Sequence, residues 1–161
     1  MSNYGLQTLF EESVSSVTAT NSIQLGTERW QNGNKYRYIY NKSSSQACPG
    51  KAMVYIGANA SASSGYSLTV SSTAGDYDIG GVVYHATIPT GYYGWVVVNG
   101  VVPGCETSSG TTAGHYVALD TDGYFRSGSA TTGNLYQPVG VALTATAASS
   151  YGTFTVRVNC A

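Results

Sequence analysis

Lys35-Tyr36-Arg37-Tyr38-Ile39-Tyr40, closed by Asn41-Lys42-Ser43-Ser44-Ser45, decides the fold class. The first six residues are aromatic and β-branched in a pattern that places Tyr36, Tyr38 and Tyr40 on one side of an extended chain, and the polar run after them reads as a loop. Outward from this strand the same texture recurs at residues 52–56, 66–70, 81–88, 93–99, 115–119, 124–126, 139–145 and 153–158. Asn32-Gly33, Asn99-Gly100, Pro103-Gly104 and Asp122-Gly123 carry the backbone preferences of turns and are expected to reverse the chain between strands. No window carries the 3.6-residue period and caps of an amphipathic helix. The reading is all-β, a small β-barrel or sandwich over residues 31–161. Residues 1–30 lack sustained periodicity and are expected to form an extended N-terminal arm.

A faint internal repeat runs through the second half of this pattern. Gly81-Val82 followed by Ala86-Thr87 recurs as Gly140-Val141 and Ala145-Thr146, and Tyr93-Gly94 with Val98 recurs as Tyr151-Gly152 with Val156. Each copy reads as strand, short loop, strand, so the repeat predicts two related hairpins.

The chain has 161 residues, enough for one domain with a sizeable core, and carries 7 basic and 8 acidic residues, 9% in all. Soluble domains average about 25%. Solubility therefore rests on hydroxyl, amide and glycine surface, which tolerates close neighbours because little charge repels them. A net charge of -1, with the basic residues scattered from Arg29 to Arg157, argues against a nucleic-acid partner. No stretch is long and apolar enough to cross a membrane as a helix. The first residues lack the basic start and apolar run of a secretory leader, giving an expectation of assembly in the cytoplasm. Cys48, Cys105 and Cys160 are too few and too widely spaced for a disulfide framework or a zinc site, and are expected to be free thiols that contribute packing.

Chemistry-bearing residues are sparse. His85 sits within a strand pattern and His115 at a strand start, positions ordinary for structural and solvent-facing histidines. No strained-elbow serine motif occurs among the many serines. Asp76 with Asp78 and Asp120 with Asp122 are the paired carboxylates, but neither is followed by the further carboxylate of a calcium loop, and both lie in turn composition. The expectation is a protein with no catalytic residue, metal or cofactor. Tyrosine, at 14 residues against 3 Phe and 2 Trp, supplies area with a polar end and is enriched where proteins meet.

Several stretches resemble a known family. Tyr36 to Asn41, followed by Ala47 to Gly50-Lys51, is similar to the opening of small structural proteins encoded near phage capsid genes. Gly94-Trp95-Val96-Val97-Val98-Asn99-Gly100 is similar to a strand common in such virion proteins. Gly114-His115-Tyr116-Val117-Ala118-Leu119-Asp120-Thr121-Asp122-Gly123, and then Pro138-Val139-Gly140-Val141-Ala142-Leu143, resemble the ending of tailed-phage capsid decoration proteins. The resemblance spans roughly residues 36–158 and implies a cement protein on the virion's capsid surface, assembled in host cytoplasm. Its implied partners are the major capsid protein and copies of itself, often as a trimer. The expected contact residues are Leu6, Leu9, Phe10 and Val14 in the arm, laid along a neighbour by strand addition, with Tyr92 and Trp95 on the body. A phage tail or fibre component, or a carbohydrate- or receptor-binding β-module, would share the same strands.

Overall fold

A computed structural model describes residues 12–55, 66–70, 79–127, 138–147 and 152–160. The chain is all-β, as expected. Its strands are β1 (Glu28–Gln31), β2 (Asn34–Asn41), β3 (Ala52–Tyr55), β4 (Ser67–Val70), β5 (Ile79–Val83), β6 (Tyr93–Thr107), β7 (Tyr116–Leu119), β8 (Phe125–Ser127), β9 (Gly140–Ala142) and β10 (Gly152–Asn159). They join in the order β1-β2-β4-β3-β5-β6-β10-β9-β7-β8, with further pairings of β2 with β6 and of β6 with β8.

Those two further pairings turn the expected single barrel or sandwich into something more specific. Strands β2, β4, β3, β5 and β6 close into a five-stranded hydrogen-bonded ring, and β6, β10, β9, β7 and β8 close into a second. The rings share β6, a 15-residue strand whose first half pairs with β2 and β5 and whose second half pairs with β10 and β8. Each ring is closed by one parallel pairing: Tyr40 with Ser67 and Asn41 with Leu68 in the first, Thr107 with Phe125 in the second.

Two of the four expected turns lie inside β6. Asn32-Gly33 does reverse the chain: both residues have positive φ, 52° and 79°, as a two-residue hairpin turn of primed type requires. Asp122-Gly123, at 57° and 71°, likewise lies in the turn between β7 and β8. At Asn99-Gly100 only the glycine departs from extended backbone, and the strand continues because Asn34 clamps it. Asn34 Oδ1 accepts the Val101 N–H at 2.8 Å and its Nδ2 donates to the Val101 carbonyl at 3.1 Å. A Cβ on Gly100 would fall 2.0 Å from that Oδ1, so the glycine serves close approach. Pro103-Gly104 lies at a bulge: Cys105 faces Phe154 and Val102 faces Val156, leaving two residues of β6 opposite one of β10. A proline without an N–H is tolerated at such a site.

The N-terminal segment is also corrected. Residues 12–30, expected as part of an extended arm, lie on the body. Thr18 and Tyr93 exchange two backbone hydrogen bonds of 3.0 and 2.8 Å, the Gly26 N–H donates to the Tyr38 carbonyl at 2.8 Å, and β1 forms a hairpin with β2. Val14 is buried, and Ile23 and Leu25 pack on the same cluster. These apolar residues lack periodicity because the segment touches several strands in passing and runs beside none of them for long. The rest of the expected arm, with Leu6, Leu9 and Phe10, lies outside the described residues.

The two rings are copies of one design. Met53, Val54 and Tyr55 pair with Val70, Thr69 and Leu68, as Val117, Ala118 and Leu119 pair with Ser127, Arg126 and Phe125. Ala52 and Met53 face Val82 and Gly81, as Tyr116 and Val117 face Val141 and Gly140. The lead-in turns agree bond for bond: Gly50 N–H to Val83 O at 2.8 Å and Val83 N–H to Lys51 O at 2.9 Å, against Gly114 N–H to Ala142 O at 2.8 Å and Ala142 N–H to His115 O at 2.9 Å. The repeated Gly81-Val82 and Gly140-Val141 therefore occupy equivalent places. The repeated Tyr-Gly does not, because Val83 faces Val96 while Ala142 faces Val156, which sets Gly94 equivalent to Phe154. That sequence match is two residues out of step, a slip that preserves which side chains face inward.

Burial follows the duplication. The first ring encloses one residue from each strand, Ile39, Met53, Leu68, Val83 and Val96, together with Ala47 and Ile88. The second encloses the equivalents Cys105, Val117, Phe125, Ala142 and Val156, and these belong to a cluster that continues onto Tyr36, Ala52, Val82 and Val97 of the first ring. Each Ile, Leu, Val, Met or Phe side chain among them contributes about 1.5–3 kcal/mol when fully buried. The shared cluster makes the rings one body.

Candidate interaction surface

Several of the titratable groups are absorbed by local structure. His85 Nε2 shares a 2.9 Å hydrogen bond with the Tyr36 hydroxyl, and the ring packs on Tyr84 at 4.2 Å; partial burial lowers its pKa, favouring the neutral imidazole. His115 is exposed in the turn before β7. Asp120 organises its own turn, its Oδ1 accepting the Thr121 N–H at 2.9 Å and its Oδ2 the Ser108 hydroxyl. Asp76 and Asp78 lie outside the described residues. Among the described residues no group of three potential ligands could hold a metal. All three cysteines are free thiols, and burial pushes those of Cys105 and Cys160 up to about 12, which suppresses the reactive thiolate.

Part of the charge is paired locally. Glu28 bridges Lys35 at 2.6 Å and Arg37 at 2.7 Å across the β1–β2 hairpin; burial raises its carboxyl, but hydrogen bonds and charge from the two cations outweigh it and leave the pKa lowered. Lys51 pairs with Glu106 at 3.0 Å and ties the first ring to the second.

Leu6, Leu9 and Phe10 lie outside the described residues, and of the other expected contact residues two are buried and one is exposed. Val14, 5% exposed, and Trp95, 3% exposed, both belong to the large core cluster, so neither offers surface to a partner. Trp95 lies against Tyr38 at 5.1 Å and beneath the Arg29 guanidinium at 4.3 Å, on the face that the N-terminal segment covers. Tyr92 is exposed, in the loop before β6, where its carbonyl accepts the Asn41 N–H at 2.9 Å.

Among the described residues the exposed large apolar ones are Trp30 on β1, Tyr92, Val101, Tyr116 and Leu143. Two of them share a row across the second ring, where Val101 faces Arg157, Arg157 faces Val141, and Val141 faces Tyr116. Residues paired in this way project from the same side of the sheet. Val101 is 38% and Tyr116 64% exposed, Val141 is half-buried, and the exposed Arg157 lies between the valines. Sequence alone gave no sign of this surface, because a valine in a strand pattern reads as core. The strand register, not the sequence repeat, sets Tyr116 where the first ring has Ala52.

No family model matches the chain, and no curated protein matches it. Among solved structures, the N base of the head fibre gp8.5 of bacteriophage phi29 is similar at 11% identity and a TM-score of 0.48, over 78% of this chain and 96% of that one. The likeness is too distant to carry a function.

Proposed function

We propose that this protein is a structural component of a phage virion, a decoration or cement protein that binds the outer capsid lattice and stabilises the shell. The observation that carries the reading is exposed aromatic side chains in a chain poor in charge: Trp30 is 66% and Tyr116 64% exposed in a chain with 9% charged residues. Interface centres are depleted of charge and enriched in aromatics, and such a surface gives little repulsion between close neighbours. The strand and turn motifs that resemble decoration proteins, at Gly94–Gly100, Gly114–Gly123 and Pro138–Leu143, support the same reading. On a repeating shell many weak contacts add, so each copy need bind only modestly. The proposed role is binding without catalysis.

The test is to mix purified protein with undecorated capsids and follow co-sedimentation and the temperature at which the shell opens. Saturable binding with a raised opening temperature is expected. Absence from capsids overturns the reading, and binding to tails or to cell-surface glycans instead would assign the chain to the tail, fibre or carbohydrate-binding class.

A further inference from the structure

An asparagine followed by glycine is open to attack by its own backbone, because glycine has no Cβ to shield the nitrogen that attacks. The pair occurs twice in this chain, at Asn32-Gly33 and Asn99-Gly100, and the fold treats the two in opposite ways.

Asn32 and Gly33 are both exposed and make up the whole of the turn between β1 and β2. The ladder ends at the pair Gln31 and Asn34, so the Gly33 N–H belongs to no strand pairing. Among the described residues no hydrogen bond holds that N–H or the Asn32 side-chain amide. A Cβ on Gly33 would meet nothing within 4 Å. Because β1 is a four-residue edge strand paired with β2, opening this end of the hairpin breaks few bonds. Asn99 and Gly100 lie inside β6 instead, facing Asn159 and Val158 of β10, and Asn99 also faces Lys35 of β2. The Asn99 Nδ2 donates to Asn159 Oδ1 at 3.0 Å, and a Cβ on Gly100 would lie 2.9 Å from Asn34 Cα. The Asn99 side chain cannot turn onto the Gly100 nitrogen without opening the strand that both rings share.

We propose that Asn32 is a site of self-modification, losing its side-chain amide to the Gly33 nitrogen in the folded protein, while β6 protects Asn99. The Gly33 nitrogen gives its proton to hydroxide and bonds to Asn32 Cγ, closing a five-membered succinimide. The Cγ–Nδ2 bond breaks, and ammonia leaves with a proton from water, which restores the hydroxide. Water then opens the ring at either of its two carbonyls, giving aspartate or isoaspartate and adding one negative charge to a chain of formal net charge -1. Aspartate suits the turn, since Asp tolerates the positive φ of 52° as Asn does. Isoaspartate does not, because it routes the main chain through the side-chain carbon, lengthens a two-residue turn and shifts β1 against β2. That shift separates Glu28 from Lys35 and Arg37, its partners across the hairpin. Modification therefore loosens β1, through which the N-terminal segment enters the sheet. None of this depends on what the protein binds.

The full-length protein is aged in warm, mildly alkaline buffer, and the two Asn-Gly peptides are followed by the mass gained when amide becomes carboxyl and by enzymatic labelling of isoaspartate. In the native protein Asn32 should convert at least about tenfold faster than Asn99, since an exposed turn opens far more readily than the interior of a strand. In guanidinium chloride the two should convert at similar rates, because the protection belongs to the fold. Asn32→Gly, which suits the turn and has no side-chain amide, should abolish the fast conversion with an unchanged thermal midpoint. Aged protein carrying isoaspartate should melt below fresh protein, and Asn32→Asp should melt with it. Native Asn32 that persists as long as Asn99, or Asn99 that converts as fast as Asn32, overturns the proposal; both sites are read within one wild-type molecule, so the result does not rest on a variant folding. Isoaspartyl protein that melts with fresh protein overturns the loosening of β1.

Discussion

Gly140 has no room for a side chain: a Cβ there would lie 2.0 Å from the Arg157 carbonyl oxygen on β10. Its equivalent Gly81, with φ of 153°, would place a Cβ 2.5 Å from Val96 Cγ2 and 3.1 Å from the Val97 carbonyl oxygen. In both rings the obstacle includes the backbone of the next strand, which cannot rotate away. Gly152, in the other half of the sequence repeat, would meet only Thr146 among the described residues, at 3.5 Å, an ordinary contact. Gly140→Ala should therefore destabilise the protein by about 2 kcal/mol or more, while Gly152→Ala should change stability by no more than about 0.5 kcal/mol, read from urea unfolding midpoints. Equal effects would mean that the β9–β10 register is wrong. The sequence repeat weighs these two glycines alike; only the register separates one forced by a neighbouring strand from one that is a coincidence of spacing.

Elements were legible where their pattern is local. The cores of most strands could be read directly, and so could the Asn32-Gly33 hairpin turn. The length of β6 could not, because Asn99-Gly100 and Pro103-Gly104 have turn chemistry and their role as close approach and bulge is imposed by Asn34 and β10, distant in sequence. The N-terminal segment was misread for the same reason. Its contacts give a direct prediction: deletion of residues 1–25 removes the buried Val14 side chain, worth about 1.5–3 kcal/mol, and the Thr18–Tyr93 hydrogen bonds, worth about 1 kcal/mol each. The truncated protein should lose on the order of 3 kcal/mol or more in denaturant titration. An unchanged midpoint would restore the extended-arm reading.

At the scale of the whole molecule, two similar rings invite the expectation of two unfolding units, but β6 belongs to both and one apolar cluster runs from the face of the first into the interior of the second. Unfolding should therefore be one transition, with calorimetric and van't Hoff enthalpies equal; two resolved transitions would show that the shared strand does not couple the rings. The duplication was faint in sequence because equivalent positions keep burial and change identity: Ile39 answers to Cys105, Met53 to Val117, Leu68 to Phe125 and Val83 to Ala142. The open row was invisible because whether another ring covers a strand face, as one covers Ala52 and leaves Tyr116 exposed, is a property no local window contains. Ring closure also bears on how such a chain survives at high concentration. Every described strand except β1 has neighbours on both sides, and β1 is four residues long and carries Glu28 and Arg29. A crowded population of these molecules thus presents almost no free strand edge to template sheet growth from one to the next, so a chain with little charge repulsion is guarded against fibrous aggregation by its topology.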